Sequence, residues 1–227
     1  MSIDIICISN GSRPELLYQT LASAKDNASH WIDCSLTIVY DGIAPIIIPQ
    51  IPGPTLIHNT RQQFASASRN IGAGSIPKYR RGGYVLFLDD DTYMCKGWDR
   101  AMLKLASPNA IISGYSHPFN RYDIETAFYG VPLVISSVCM MMSWQMFDRA
   151  GPWDEPGGRG ASEDYALCCR ARDNHNACFA VTKPQVCIHA GLRSNDGQEI
   201  VGYHELQNQN NALIKQYGLE GKVKMAL

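Results

Sequence analysis

The sequence predicts a single α/β domain with a mixed, mostly parallel central sheet flanked by helices. Three observations carry this. Short β-rich runs (IDIICIS, LTIVY, YVLFL) alternate with stretches whose apolar residues recur at helical spacing. Polar clusters, Ser9-Asn10, Asp41 and Asp89-Asp90-Asp91, stand where those runs end, which is where open α/β sheets bind ligands. The 227 residues, 45% hydrophobic and 18% charged, suffice for one sizeable core, and no linker-like stretch divides them.

Ile3–Ser9 is the first expected strand, and the turn Asn10-Gly11-Ser12-Arg13-Pro14 leads into a helix over Glu15–Ala24 with Leu16, Leu17 and Leu21 on one side. Leu36–Tyr40 is a second strand, stopped by Asp41-Gly42. A proline-rich loop, Pro45–Pro54, precedes a helix around Arg61–Ile71, which Gly72 and Gly74 are expected to close. Tyr84–Leu88 is the strand that runs into the three aspartates. A helix over Gly97–Leu105, a strand at Ile111–Gly114, one or two strands within Val131–Met142 and a short helix from Trp144 to Arg149 follow. The glycine-rich loop Gly151–Ser162 ends on Ser162, a suitable N-cap for a helix from Glu163 to about Asp173. A strand near Phe179, another at Val186–His189 and a helix around His204–Tyr217 complete the chain.

Bulk chemistry excludes several classes of function. A net charge of −1 argues against nucleic acid or an anionic membrane as partner, and Lys78, Arg80 and Arg81 read as a solvated loop. The eight cysteines form no CxxC pair and several lie in apolar runs, so buried free thiols in a reducing compartment are expected, without a zinc site. The N-terminus lacks the basic start and long apolar core of a secretory signal, so a cytoplasmic location is expected. Thr126–Phe147 carries no charge and is long enough to span a bilayer, but Gly130, Pro132, Ser136, Ser137, Ser143 and Gln145 interrupt it; a buried sheet is preferred and no membrane span is expected.

Three groups of residues could carry chemistry. In extended chain Asp89 and Asp91 point to one side and Asp90 to the other, so the first pair could hold a hard divalent cation that bridges to phosphate; a plain acidic turn is the alternative. Glu163-Asp164, behind the glycine-rich loop, suit a helix N-terminus by charge alone, and also suit proton abstraction from a hydroxyl. His189 ends a strand, where a neutral imidazole can complete a metal shell, although lone histidines are more often structural.

Taken in order, these pieces resemble glycosyltransferase family 2 on the GT-A (Rossmann-like) fold, over roughly Ser2 to Gly191. The matching elements are the first strand and polar turn IDIICISNGSRPELLYQTLASA, the acid in VYDG, Arg69-Asn70-Ile71-Gly72, LDDDT, and the segment AGPWDEPGGRGASEDYALCCRAR. The resemblance implies a nucleotide-binding part at about 1–92, an acceptor-side part at about 93–191 and a tail with a helix at 192–227. It implies a metal-dependent, inverting transferase (hexosyltransferase class) that moves a sugar from a nucleoside diphosphate sugar to a glycan or other hydroxyl acceptor. Mn2+ or Mg2+ is the implied metal, and a UDP-sugar is favoured over a GDP-sugar as donor. Asp91 would be the principal metal ligand, with Asp89 assisting and His189 third. Ser9, Asn10, Arg13 and Asp90 would line the donor side, Asp41 would bind the base, Arg69 would contact the nucleotide and Arg193 would neutralise the leaving diphosphate. Asp164 would be the catalytic base and Glu163 would shape the site. YDGIAP departs from the family's usual paired acid with serine. Two alternatives stand beside this reading: a sugar-nucleotide or glycan binding module without catalysis, and a haloacid dehalogenase-type phosphatase, against which Tyr93 counts because that pattern wants Thr or Val there.

Overall fold

The computed structural model describes residues 1–42, 53–115, 135–155, 163–190, and 211, 212 and 215. Among them are strands β1 (Ile3–Ser9), β2 (Cys34–Asp41), β3 (Thr55–Asn59), β4 (Tyr84–Asp89), β5 (Thr92–Met94), β6 (Ala110–Ser113), β7 (Cys139–Ser143), β8 (Cys178–Val181) and β9 (Cys187–His189). The helices are α1 (Pro14–Asp26), α2 (Phe64–Ser75), α3 (Trp98–Leu105), α4 (Trp144–Ala150) and α5 (Glu163–His175). A seven-stranded sheet has the order β3-β2-β1-β4-β7-β6-β8, and β5 pairs with β9 in a small second sheet. Neighbours in the large sheet are parallel except that β7 runs against both β4 and β6, so the sheet is mixed and mostly parallel as expected.

Strand alternation builds a core on each face. In β4, Leu86 and Leu88 join Ile3, Ile5, Cys7, Leu17, Leu21, Trp98 and Met102 on one side. Val85 and Phe87 join Ile6, Val39, Met140, Met142, Phe147, Trp153 and Leu167 on the other. A period of two therefore covers both faces with apolar side chains, as a sheet sandwiched between helices requires. The run expected to be strand within Val131–Met142 supplies β7 from Cys139; its residues 131–134 lie outside the described residues. Among the described residues no helix is long and apolar enough to cross a membrane.

Three expectations need correction. The edge strand β3 was not foreseen: Thr55 and Leu56 are exposed, and without a buried face such a strand shows no alternation to read. Helix α2 starts three residues later than expected and runs through Gly72 and Gly74 instead of ending there. The reason at Gly72 is close packing, since a Cβ there would stand 2.5 Å from Ile6 Cγ2 and 3.1 Å from Val39 Cγ2. Not every cysteine is buried: all eight are free thiols, but Cys178 is exposed and Cys34 and Cys169 are half-buried. The helix expected around His204–Tyr217 falls almost wholly outside the described residues, as does Ser162.

Candidate active site

Parallel pairing brings the three polar clusters together. Register sets Ser9 opposite Tyr40 in β2, and Ile8 opposite Asp89 in β4, so the carboxyl ends of three adjacent strands share one edge. Alternation stops with β4 at Asp89, and Asp90-Asp91 form a turn before β5. That turn is tightly tied. Thr20 Oγ1 on α1 donates to Thr92 O at 2.7 Å and accepts from Thr92 N at 3.0 Å, while Thr92 Oγ1 donates to Asp89 O at 3.1 Å. Pairing of Thr92 with His189 across β5 and β9 then delivers the histidine beside Asp91, whose carbonyl accepts from Ala190 N at 2.6 Å.

The result is one cluster around Asp90 and Asp91. Arg13 Nη2 lies 2.8 Å from Asp91 Oδ2 and 3.4 Å from Asp90 Oδ1, and His189 Nε2 lies 3.2 Å from Asp91 Oδ1. Ser9 Oγ donates to Asp90 Oδ2 at 2.5 Å. Burial, with Asp91 alongside, pushes the Asp90 carboxyl up to about 7. Burial also works against the Asp91 charge, but His189 and Arg13 outweigh it and hold Asp91 below the usual carboxylate range. A proton held by the pair therefore rests on Asp90. Burial pulls the His189 imidazole down, and Asp91 more than reverses this, so histidine and aspartate favour each other's charge.

A second cluster joins β4 to α5. Arg69, only 2% exposed, places Nη2 2.8 Å from Asp89 Oδ1 and Nη1 3.2 Å from Glu163 Oε1, and its Cζ lies 4.9 Å from the centroid of the Trp153 ring. Burial raises the Asp89 carboxyl, with Arg69 the strongest opposing influence. Asp164, the next residue on α5, accepts from Tyr165 N at 2.8 Å. Burial and the adjacent Glu163 charge raise its carboxyl, against hydrogen bonds from the Tyr165 and Ser137 amides and the nearby Arg69. A half-buried carboxylate with a raised affinity for protons is chemically suited to take one from a hydroxyl.

The other expected site residues have different surroundings. Asp41 is buried and caps α2 from a distance, Oδ1 accepting from Gln63 N at 2.6 Å and Oδ2 from Phe64 N at 2.7 Å. This cap, from a strand more than twenty residues upstream, explains why α2 begins where it does and how Phe64 holds a φ of 66°. Asn10 Oδ1 accepts from Ser12 N at 2.9 Å and Ser12 Oγ at 2.6 Å, shaping the turn after β1. Arg69, expected at the nucleotide, is buried between two carboxylates. Arg193 lies outside the described residues. Trp153, Ser137 and Thr20 were missed because each acts through burial or backbone contacts that a linear motif does not display.

The residues suit a hard divalent cation. Among the described residues no three His, Cys, Asp or Glu side chains form a ready cage. Mg2+ and Mn2+ sites built on substrate phosphates need only one or two carboxylates from the protein. Asp91 and His189 supply an oxygen and a nitrogen donor side by side. The expected pairing of Asp89 with Asp91 on one side does not hold, because the strand ends at Asp89 and in the turn Asp90 and Asp91 share Arg13 while Asp89 is held by Arg69.

Comparison with known proteins places this architecture. No family model matches the sequence, and no curated protein does. Among solved structures, GalNAc-T7 in a crystal structure with UDP, GalNAc and Mn2+ superposes with a TM-score of 0.62 at 9% identity, over 80% of this chain and 42% of that one. The mannosyltransferase PcManGT from Pyrobaculum calidifontis, in complex with GDP-Man and Mn2+, superposes with a TM-score of 0.61 at 16% identity, over 97% of this chain and 65% of that one. This chain thus spans less than two thirds of either neighbour. The fold is the GT-A fold that the order of motifs led us to expect.

Proposed function

We propose that the chain is a metal-dependent, inverting glycosyltransferase that moves a sugar from a nucleoside diphosphate sugar, a UDP-sugar before a GDP-sugar, to a hydroxyl of a glycan. The observation that carries the reading is the Asp91–His189 pair, 3.2 Å apart at the strand-end edge of a GT-A fold whose α5 begins with Glu163 and Asp164. Both structural neighbours were solved with Mn2+ and a nucleotide or nucleotide sugar, which supports a donor of this class.

When bound, Mn2+ or Mg2+ supplies Lewis-acid stabilisation of the charge that develops on the departing diphosphate. Asp91 and His189 would hold it, with Asp89 assisting. Arg13, already neutralising Asp90 and Asp91, stands where a phosphate oxygen can share its guanidinium. Ser9 and Asp90 fix the floor of that edge through their mutual hydrogen bond. Asp164 takes the proton of the acceptor hydroxyl as its oxygen attacks the anomeric carbon from the face opposite the diphosphate; the sugar–phosphate C–O bond breaks and the configuration inverts. Arg69 acts from beneath, holding Asp89 and Glu163 in place through one contact to each.

A thermal-shift panel of UDP- and GDP-sugars with and without Mn2+ tests the reading. A true donor at a hundredfold excess over its Kd adds about 2.7 kcal/mol by mass action, and for a domain of this size that is a rise of roughly 5–11 °C. The rise should vanish with chelator. A panel in which no nucleotide sugar raises the midpoint, with or without metal, sinks the proposal.

A further inference from the structure

One turn of α2 reaches both halves of the site. Arg69 takes Asp89 and Glu163, as described. Asn70 faces a different neighbour. Its side-chain amide pairs reciprocally with the backbone of Trp153, Nδ2 donating to Trp153 O at 2.9 Å and Oδ1 accepting from Trp153 N at 2.9 Å, and Nδ2 also donates to Glu155 Oε1 at 2.7 Å. Trp153 is 1% exposed, its ring edge-on to Phe87 at 5.2 Å and facing the Arg69 guanidinium.

Two details make this contact matter. The buried Trp153 Nε1 has no hydrogen-bond partner among the described residues, so the indole has no polar anchor of its own there and its place depends on its backbone and its apolar neighbours. Arg69 holds each carboxylate through a single N–O contact, and its Nε has no partner among the described residues. A guanidinium held at two points and faced by an aromatic ring can swing toward one carboxylate when the ring moves.

We propose that Asn70 is a positioning residue for sugar transfer: by pinning Trp153 it keeps the indole against Arg69, and so keeps the Arg69 fork on Asp89 and Glu163 at once. The donor-side and acceptor-side carboxylates are thereby held at one separation. The proposal rests on the glycosyltransferase reading above.

The test uses the full chain labelled with 5-fluorotryptophan, the Trp153 signal being assigned by its loss in Trp153→Phe. In Asn70→Asp, nearly isosteric but unable to donate to Trp153 O, the Trp153 resonance should shift or broaden while that of Trp98, in the opposite core, stays put. With donor and acceptor, kcat should fall about 100-fold, the scale of a misplaced reacting group, while the Kd for UDP or GDP with Mn2+ changes far less, since Asp91 and His189 are not touched. Trp153→Phe keeps the backbone pin and loses the indole, and should show the same loss of kcat; it carries the test if Asn70→Asp does not fold. An unmoved Trp153 resonance in Asn70→Asp overturns the pin whatever the activity. A moved resonance with wild-type kcat, or full kcat in Trp153→Phe, overturns the positioning role. If the wild type turns over no donor, the transfer role falls with the parent reading, while the fluorine spectrum still decides whether Asn70 holds Trp153.

Discussion

Arg69→Met would remove the one guanidinium that serves both Asp89 and Glu163. The replacement keeps an unbranched apolar stem against Trp153 and deletes the charge, leaving two carboxylates that are 25% and 13% exposed facing each other's field. Breaking a buried ion pair by removing one partner costs about 3–5 kcal/mol. Partial access to water at both carboxylates argues for the lower end, about 3 kcal/mol, which in a domain of this size is a fall in Tm of roughly 6–12 °C. The deficit should depend on pH with a definite sign. Burial already raises the Asp89 carboxyl and Arg69 is the main influence lowering it, so the substitution raises it further. A carboxyl whose folded pKa lies above its unfolded value subtracts stability once it ionises, and the subtraction disappears as pH falls through the folded value toward the unfolded one. Thermal unfolding of wild type and variant should therefore differ most near about pH 8 and converge toward about pH 4, where an ordinary aspartate is half protonated. Arg69→Lys, which can reach one carboxylate but not fork between two, should fall between. A loss below about 1 kcal/mol, the scale of an exposed salt bridge, and equal at both pH values, would refute the claim that this pair of contacts ties β4 to α5.

Two further outcomes follow from the same packing and ionisation. Gly72→Ala should destabilise by about 1–3 kcal/mol, because its Cβ meets the β-branched Ile6 in a packed core, whereas Gly74→Ala, with nothing within 4 Å, should stabilise by about 0.5–1 kcal/mol; denaturant melts of both variants check the contrast. The raised Asp164 carboxyl must be ionised to act as base, so kcat/KM should fall as pH drops through a midpoint above the ordinary carboxylate range, and Asp164→Asn should bind nucleotide yet lose transfer at every pH; full transfer by that variant removes Asp164 from the base role.

The elements legible in the chain were those whose own residues determine them. Ile3–Ser9 and Tyr84–Asp89 are apolar on both faces and bounded by turn formers, so their limits needed no partner. The order Asp41, Arg69-Asn70, Asp89-Asp90-Asp91, Glu163-Asp164 likewise pointed to the GT-A fold. What stayed hidden depends on contacts across the sheet. Among the described residues, edge strand β3 pairs on one side only, and it shows no periodicity. The start of α2 is set by Asp41 rather than by a neighbour in sequence. Glycines that look like a helix stop are the close approach of α2 to Ile6 and Val39.

The same division runs through the site. Residue type and spacing were enough to single out acids that could hold a cation or accept a proton, because charge density along a chain is a local property. Which acid does what was decided only by the fold. Asp90 binds a proton more readily than Asp91 because His189 pairs with Asp91 alone and Arg13 lies closer to Asp91, 2.8 Å against 3.4 Å. Arg69 serves as a brace because α2 buries it between two strand and helix ends, and Asn70 joins the site through Trp153, more than eighty residues away. Ionisation and hydrogen bonding are set by neighbours in space, and those neighbours are chosen by the topology of the sheet.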